Sequence, residues 1–369
     1  MTNPARQATE PSRRNFLKGV AAVGAGSLLA TGELPAQTPA AATTRAIDCH
    51  FHYGSPGYAK ALAARIGRPM AGFGMVTEDD VRPWRDYSAA KAVEFLDHND
   101  LAAAVLSATS PGTWFGDPAE TRSLARDLND YAAKMRSDYP RRFAFLASLP
   151  LPNADDCLKE IEYALDTLHA DGISILSSYE EHYWLGDPIF HPVFDELNRR
   201  KAVVCVHPAK PFQTLNHVGI TEFLTDTMRT LYSLLTTGAA TRYGDIRFLF
   251  SHAGGTMPSY IERFKIAEPG GLDEALAREP EPNSNLFHLR RFYYDVAQSC
   301  NSVQLQALKT IAGTSQMVFG SDWPMIQTSD PANAGSRQIK GLEKCHLDAA
   351  EMAAIRGGNA ERLFQRLKL

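Results

Sequence analysis

Cysteine is scarce and unpatterned in this chain: five among 369 residues, at Cys49, Cys157, Cys205, Cys300 and Cys345, with no C-x-x-C spacing. That excludes a disulfide framework and a thiolate metal site, and leaves the cysteines to act as small buried apolar side chains. Excess positive charge is missing as well. Lys and Arg number 38 against 42 Asp and Glu, for a net charge of -4, so no basic patch for nucleic acid or an anionic membrane is expected. No apolar run is long enough for stable membrane insertion. No repeat of fixed period and no internal domain boundary interrupt the chain. What is present is a hydrophobic content of 44% with 22% charged residues, the balance of a soluble globular protein with an ample core.

The N-terminus carries a specific signal. Ser12-Arg13-Arg14-Asn15-Phe16-Leu17-Lys18 is followed by a weakly apolar, Gly/Ala-rich run to Ala30 and an Ala/Pro-rich stretch to Ala42. Paired arginines, a short apolar core and a small-residue tail occur in the order of an export signal. The segment resembles a twin-arginine (Tat) leader, which implies the Tat export machinery as a partner and a periplasmic or otherwise exported protein. The expected organisation is a signal peptide and linker over 1–42 and one domain over 43–369.

Beyond it, Asp48-Cys49-His50-Phe51-His52 reads as a buried strand. Strand side chains alternate with a period of two, so Asp48, His50 and His52 are expected on one face and Ile47, Cys49 and Phe51 on the other. Two imidazoles so placed can share one divalent cation. From Arg45 onward short apolar runs alternate with longer amphipathic ones, the βα rhythm of a parallel sheet. Eight strands are expected, at 47–52, 102–107, 143–149, 172–176, 203–207, 248–251, 292–296 and 317–320. Eight such units predict an α/β fold, a single-domain (β/α)8 TIM barrel, with its active site at the carboxyl ends of the strands. A Gly-, Pro- and Met-rich insertion after strand 1, from Tyr53 to about Trp84, is expected to fold over the barrel mouth. Helices are expected after Ser88, after Asp117-Pro118 and after Asn153 or Asp155, each a capping residue.

Three further residues fall at strand ends. His207 ends an apolar run and precedes Pro208; His252 follows Phe248-Leu249-Phe250-Ser251 and precedes Ala253-Gly254-Gly255; Asp322 follows Met317-Val318-Phe319-Gly320-Ser321. Five imidazole or carboxylate groups at the ends of four strands suit Zn(II), Mn(II) or Fe(II), with a position left for water or substrate. A histidine beside the ion but not bound to it could carry the proton in flight.

These residues, with Tyr139-Pro140-Arg141-Arg142-Phe143, Gly186-Asp187-Pro188-Ile189-Phe190-His191-Pro192, Ser251-His252-Ala253-Gly254-Gly255, Phe319-Gly320-Ser321-Asp322-Trp323-Pro324 and the closing Gly357-Gly358-Asn359-Ala360-Glu361-Arg362, resemble the amidohydrolase superfamily. The similarity is to the amidohydrolase-related branch that contains aminocarboxymuconate-semialdehyde decarboxylase, and it covers nearly everything after Arg45. The resemblance implies that His50, His52, His207 and Asp322 hold one metal ion, Zn2+ first, with Mn2+ or Fe2+ as alternatives. It implies that His252 is the nonligating acid or base and that Asp322 doubles as ligand and proton shuttle. Two-metal branches carry a lysine on the fourth strand; Gly172-Ile173-Ser174-Ile175-Leu176 has none, which favours one ion. Asp48 is expected to orient ligands or close the barrel floor, and Asp295 to hydrogen-bond near the site or to play a structural polar role. Trp114, Phe115, His182 and Tyr183 are candidates for lining the pocket. A homodimer is expected from the family's habit of completing the pocket with a neighbour's arginine.

The function implied first is nonoxidative decarboxylation of an aromatic or unsaturated carboxylic acid. The second is hydrolysis of a lactone, ester or amide with the same ligands. A third, from another class, is an exported metal- or ligand-binding protein without turnover, against which the spare His252 counts.

Overall fold

The computed structural model describes residues 45–368, apart from 71–72, 181, 210–218, 265–269 and 327. The signal segment and its boundary at residue 42 therefore lie outside the described residues. Eight parallel strands form one sheet: β1 (Ala46–His52), β2 (Leu101–Ser107), β3 (Phe143–Ser148), β4 (Gly172–Leu176), β5 (Val203–His207), β6 (Arg247–Phe250), β7 (Tyr293–Asp295) and β8 (Met317–Val318). Their spatial order is their chain order. Each crossover is long enough for a helix, as parallel pairing demands. The expected α/β barrel and all eight expected strands are present.

The last two strands are shorter than their apolar runs. After Val318 the chain leaves the β7 ladder and turns to β1 instead. Cys49 N donates to Phe319 O at 2.8 Å, Asp322 N to His50 O at 2.8 Å, and His52 N to Trp323 O at 2.7 Å. These bonds close the barrel, and they place Asp322 against His50 and His52.

Two apolar layers hold the barrel. Inside, Ile47, Cys49, Val105, Leu146, Val203, Cys205, Leu249 and Val318 form one cluster, with Leu363, Phe364 and Leu367 from the chain's end joining it. The C-terminal segment thus plugs the floor, and Gly357 packs near Arg45 O at the start of β1. Outside, Phe248 and Phe250 stack at 5.9 Å and Phe292 meets both edge-on at 5.8 and 5.2 Å, between β6, β7 and the surrounding helices. Each such ring contributes about 1.5–3 kcal/mol by burial. Four of the five cysteines are buried and none is bonded to another, as expected of apolar side chains.

The expected helix caps are also present. Ser88 accepts from Lys91 N at 3.2 Å, Asp117 from Glu120 N at 2.7 Å, and Asn153 from Asp156 N at 3.0 Å. The insertion after β1 is itself structured, with helices at Pro56–Ala63 and Glu78–Arg85 and a two-stranded ribbon between them. It packs beside the carboxyl-end loops: Tyr58 lies 6.0 Å from Phe115, and Tyr87 lies 5.8 Å from Trp323, ring centre to ring centre. No helix among the described residues is long and apolar enough to cross a membrane.

Candidate metal centre

Alternation along β1 does not run as the strand period predicts. Asp48 pairs with Ala104 and Phe51 with Leu106, so the register shifts between Asp48 and Phe51. Such a bulge changes which face a side chain takes. Ile47 and Cys49 belong to the interior cluster, whereas Phe51, Ala104 and Leu106 belong to the outer one. Asp48 therefore does not share a face with the two histidines. Its Oδ1 accepts from His50 N at 3.1 Å and Ser321 N at 3.0 Å, tying β1 to the β8 extension through the backbone. Burial pushes its carboxyl up to about 7.

The carboxylate that orients the ligands is Asp295, at the end of β7. His50 Nδ1 donates to Asp295 Oδ2 at 2.8 Å, while Oδ1 accepts from His252 N at 3.0 Å and Ala297 N at 3.1 Å. Of the two roles expected for Asp295, the hydrogen bond at the site is the one observed. Its chain neighbour in space, not the nearer acid in sequence, holds His50.

All three candidate ligand imidazoles have their Nδ1 committed outward. His52 Nδ1 donates to Ser107 O at 3.2 Å and His207 Nδ1 to Pro208 O at 2.9 Å. Outward donation from Nδ1 leaves each Nε2 lone pair facing inward, the tautomer a metal ligand requires. His50 Nε2 and His52 Nε2 approach to 3.0 Å, and Asp322 Oδ1 lies 3.1 Å from the latter and 3.3 Å from the former. His207 Nε2 joins them, receiving the Thr109 hydroxyl at 3.2 Å. Ligand atoms of His50, His52, His207 and Asp322 all lie within 4.8 Å of one another, and all four residues are buried.

Electron pairs converging this closely repel unless a cation or proton lies among them. Burial opposes charge on His50, yet Asp295 and Asp322 outweigh it and raise its pKa well above the imidazole range. Burial lowers His52, and burial with the neighbouring imidazoles holds His207 well below it. Burial also opposes charge on Asp322, but His50 and His52 keep its carboxyl well below the usual range. The opposed shifts of His50 and Asp322 mark a point where positive charge is stabilised, which is where a divalent cation fits. Three nitrogens and one carboxylate oxygen make a borderline-hard donor set for an ion of the Zn, Mn and Fe group. Position 172–176 presents no lysine, and among the described residues one four-donor cluster is found.

His252 lies at the edge of this group. Its ring centre is 4.7 Å from that of His50 and 6.3 Å from that of His207, and its Nδ1 donates to Ala297 O at 3.0 Å. It stands outside the four-donor set, and among the described residues its Nε2 is the nitrogen without a hydrogen bond.

Two supporting groups carry no signal in the sequence. Gln298 Nε2 donates to Asp322 Oδ2. Asp226, fully buried, accepts from Ser177 Oγ, from Ser178 Oγ at 2.7 Å and from Trp184 Nε1 at 2.7 Å. Ser177 in turn accepts from Ala209 N at 2.9 Å and donates its own N–H to His207 O at 2.8 Å, fixing the turn that holds His207. Of the aromatic candidates, Phe115 lies against Arg65 at 4.5 Å and Tyr58 at 6.0 Å, and His182 and Tyr183 contact each other with tilted rings, centres 4.0 Å apart, on a short hairpin.

A closed eight-stranded parallel barrel with three imidazoles and a carboxylate converging at its carboxyl end defines a metal-dependent barrel enzyme. The chain belongs to the amidohydrolase family, whose model (Amidohydro_2) matches residues 47–366. A twin-arginine translocation signal model matches residues 10–30. A decarboxylase of Aspergillus niger is 31% identical over 88% of this chain and 88% of its own length. A 6-methylsalicylic acid decarboxylase of Aspergillus aculeatus is 33% identical over 87% of this chain and 96% of its own. Among solved structures, the dihydroxybenzoic acid decarboxylase of Polaromonas sp. JS666, crystallised with manganese and 2-nitroresorcinol, superposes with a TM-score of 0.68 at 17% identity, covering 88% of this chain and 99% of that one.

Proposed function

We propose that this chain is an exported, single-metal, nonoxidative decarboxylase acting on an aromatic acid that carries a hydroxyl beside its carboxylate. The observation that carries the reading is the convergence of three inward Nε2 atoms and Asp322 Oδ1 at one point of the barrel mouth. Relatives of more than 30% identity across nearly the whole barrel, named as decarboxylases, support the reaction class. In this reading 1–42 is the Tat leader with its linker, the domain begins at residue 43, and the mature enzyme works in the periplasm.

His50, His52, His207 and Asp322 would hold one divalent ion, zinc or, as in the Polaromonas enzyme, manganese. Such an ion, when bound, fixes the substrate's oxygens and withdraws electron density from the ring. The chain's own groups do the rest. Asp295 and the carbonyls of Ser107 and Pro208 hold the three imidazoles in register. His252, held at Nδ1 by Ala297 O, carries the proton at Nε2 that reaches the ring carbon as the bond to the carboxyl carbon breaks and carbon dioxide leaves. No external oxidant is consumed. Burial of all four ligands excludes bulk water and so strengthens every charge interaction in the site.

The test is to load the metal-free protein separately with Zn(II), Mn(II) and Fe(II) and offer hydroxybenzoates, muconate-type acids and lactones. Carbon dioxide release from a hydroxybenzoate is expected; acid production from a lactone without carbon dioxide would overturn the decarboxylase reading in favour of hydrolysis. Binding of these compounds without any product would favour a binding protein. Sedimentation of the same sample checks the homodimer.

A further inference from the structure

Among the non-glycine residues around the barrel mouth with left-handed backbone are His252 with φ 54° and Ala253 after it with φ 58°, Gln298 with φ 53° and Asp322 with φ 68°. Non-glycine residues adopt this conformation at a cost of about 1–3 kcal/mol, so the surroundings must enforce it. His252 and Asp322 take it within the site itself, where His252 N donates to Asp295 Oδ1 at 3.0 Å and Asp322 N to His50 O at 2.8 Å. Gln298 has no such place: it is exposed and neither ligates nor fills the core. Its turn is nevertheless pinned on its N-terminal side, where Ala297 N donates to Asp295 Oδ1 at 3.1 Å and Ala297 O accepts from His252 Nδ1 at 3.0 Å.

The enforced turn delivers the carboxamide to Asp322. Because a carboxylate only accepts, the contacting atom is Nε2, whose hydrogen goes to Oδ2. The other oxygen, Oδ1, is the one facing His52 Nε2 at 3.1 Å and His50 Nε2 at 3.3 Å. The two oxygens of Asp322 are thus divided between two partners. A carboxylate free to swing can bind a cation through both oxygens and occupy two coordination positions.

We infer that Gln298 is a positioning residue that keeps Asp322 a one-oxygen ligand, so that two positions beside the ion stay open for a substrate binding through its carboxylate and adjacent hydroxyl. The substrate class in this inference rests on the proposed decarboxylase reading. Removing the amide lets Oδ2 compete with the substrate's second oxygen. The ion is then held as well as before, while the two-point ligand is held worse. A merely structural contact would weaken both together.

The test uses the full-length protein with Mn(II) as the metal probe and 2-hydroxybenzoate as the two-oxygen ligand. Gln298→Met removes the donor at equal length. Gln298→Asn keeps an amide and tolerates left-handed backbone but falls short of Asp322. In both variants the melting temperature and the Mn(II) affinity, read from the free-ion paramagnetic resonance signal, are expected to stay near wild type. The affinity of the Mn(II)-loaded protein for 2-hydroxybenzoate is expected to fall about 10-fold, the equivalent of one contact worth about 1.4 kcal/mol. Unchanged 2-hydroxybenzoate affinity overturns the inference, and so does a parallel fall in both affinities. Wild-type protein that binds both probes yet never releases carbon dioxide would sink the decarboxylase reading alone, since the titrations need no turnover.

Discussion

Gly320 lies directly beneath His50: a Cβ placed on Gly320 would come within 2.6 Å of His50 Cβ and 3.1 Å of Ala297 Cβ. Neither neighbour can retreat, because His50 is tied to Asp295 and Ala297 to both Asp295 and His252. The absent side chain at 320 is what lets the β8 extension close against β1 under the metal ligands. Gly320→Ala is expected to cost about 1–3 kcal/mol as overpacking and to displace His50. Metal retained after gel filtration, measured by atomic emission, should fall while the far-ultraviolet dichroism stays that of the wild type. Full metal occupancy in this variant would show that the approach is less tight than described.

Asp295 and Asp48 are both buried acids near His50, but only Asp295 touches its ring. Asp295→Asn replaces an anionic acceptor with a neutral amide opposite Nδ1, so the ligand loses basicity and orientation. Metal affinity is expected to fall about 10- to 100-fold. Asp48→Asn keeps an acceptor for the backbone of His50 and Ser321, and its effect should fall on stability more than on metal. Metal-competition titrations of the pair decide between them: equal losses would restore the two acids to equal roles.

His252 stands apart from the four donors, and among the described residues only its Nδ1 is hydrogen-bonded. His252→Ala is expected to retain the ion and to lose turnover by about 10²- to 10⁴-fold, the ordinary worth of a positioned acid or base. Metal content and carbon dioxide release measured on one preparation provide the check. Full activity in the variant would remove His252 from the proton path.

Acid sensitivity should come partly from a histidine far from the site. His288 is buried, with Nε2 sharing a hydrogen bond with Thr241 Oγ1 at 2.9 Å, and burial together with the Arg291 charge lowers its pKa from 6.5 to about 4. The unfolded chain binds a proton near the ordinary value while the native imidazole refuses it. The contribution is whole above that value and is lost as the pH falls toward 4, on the order of 3 kcal/mol in all. Urea unfolding at about pH 7 and pH 5 measures the slope, and His288→Gln should flatten it. An unchanged slope in the variant would assign the acid sensitivity to other groups.

His50 and His52 are legible from their alternation along an apolar strand, and His207, His252 and Asp322 because each ends or follows an apolar run and is trailed by a proline, a glycine pair or a Trp-Pro step. Such local punctuation is a property of the chain itself. It failed at Asp48, where a strict period of two put the acid on the ligand face and a register shift removed it. Gln298 and Asp226 gave no signal, since one lies in a short turn and the other amid a helix. Their partners are 24 residues away at Asp322 and 48 and 49 residues away at Ser178 and Ser177.

The order of residues alone determined an eight-strand parallel fold and the five groups that carry its chemistry, because burial and strand termination are written into neighbouring side chains. Tertiary structure alone decided which acid holds His50, how β8 leaves its ladder to close on β1, and which oxygen of Asp322 faces the ligands. Those outcomes depend on contacts between strands distant in the chain, where packing and hydrogen-bond geometry prevail over any local pattern.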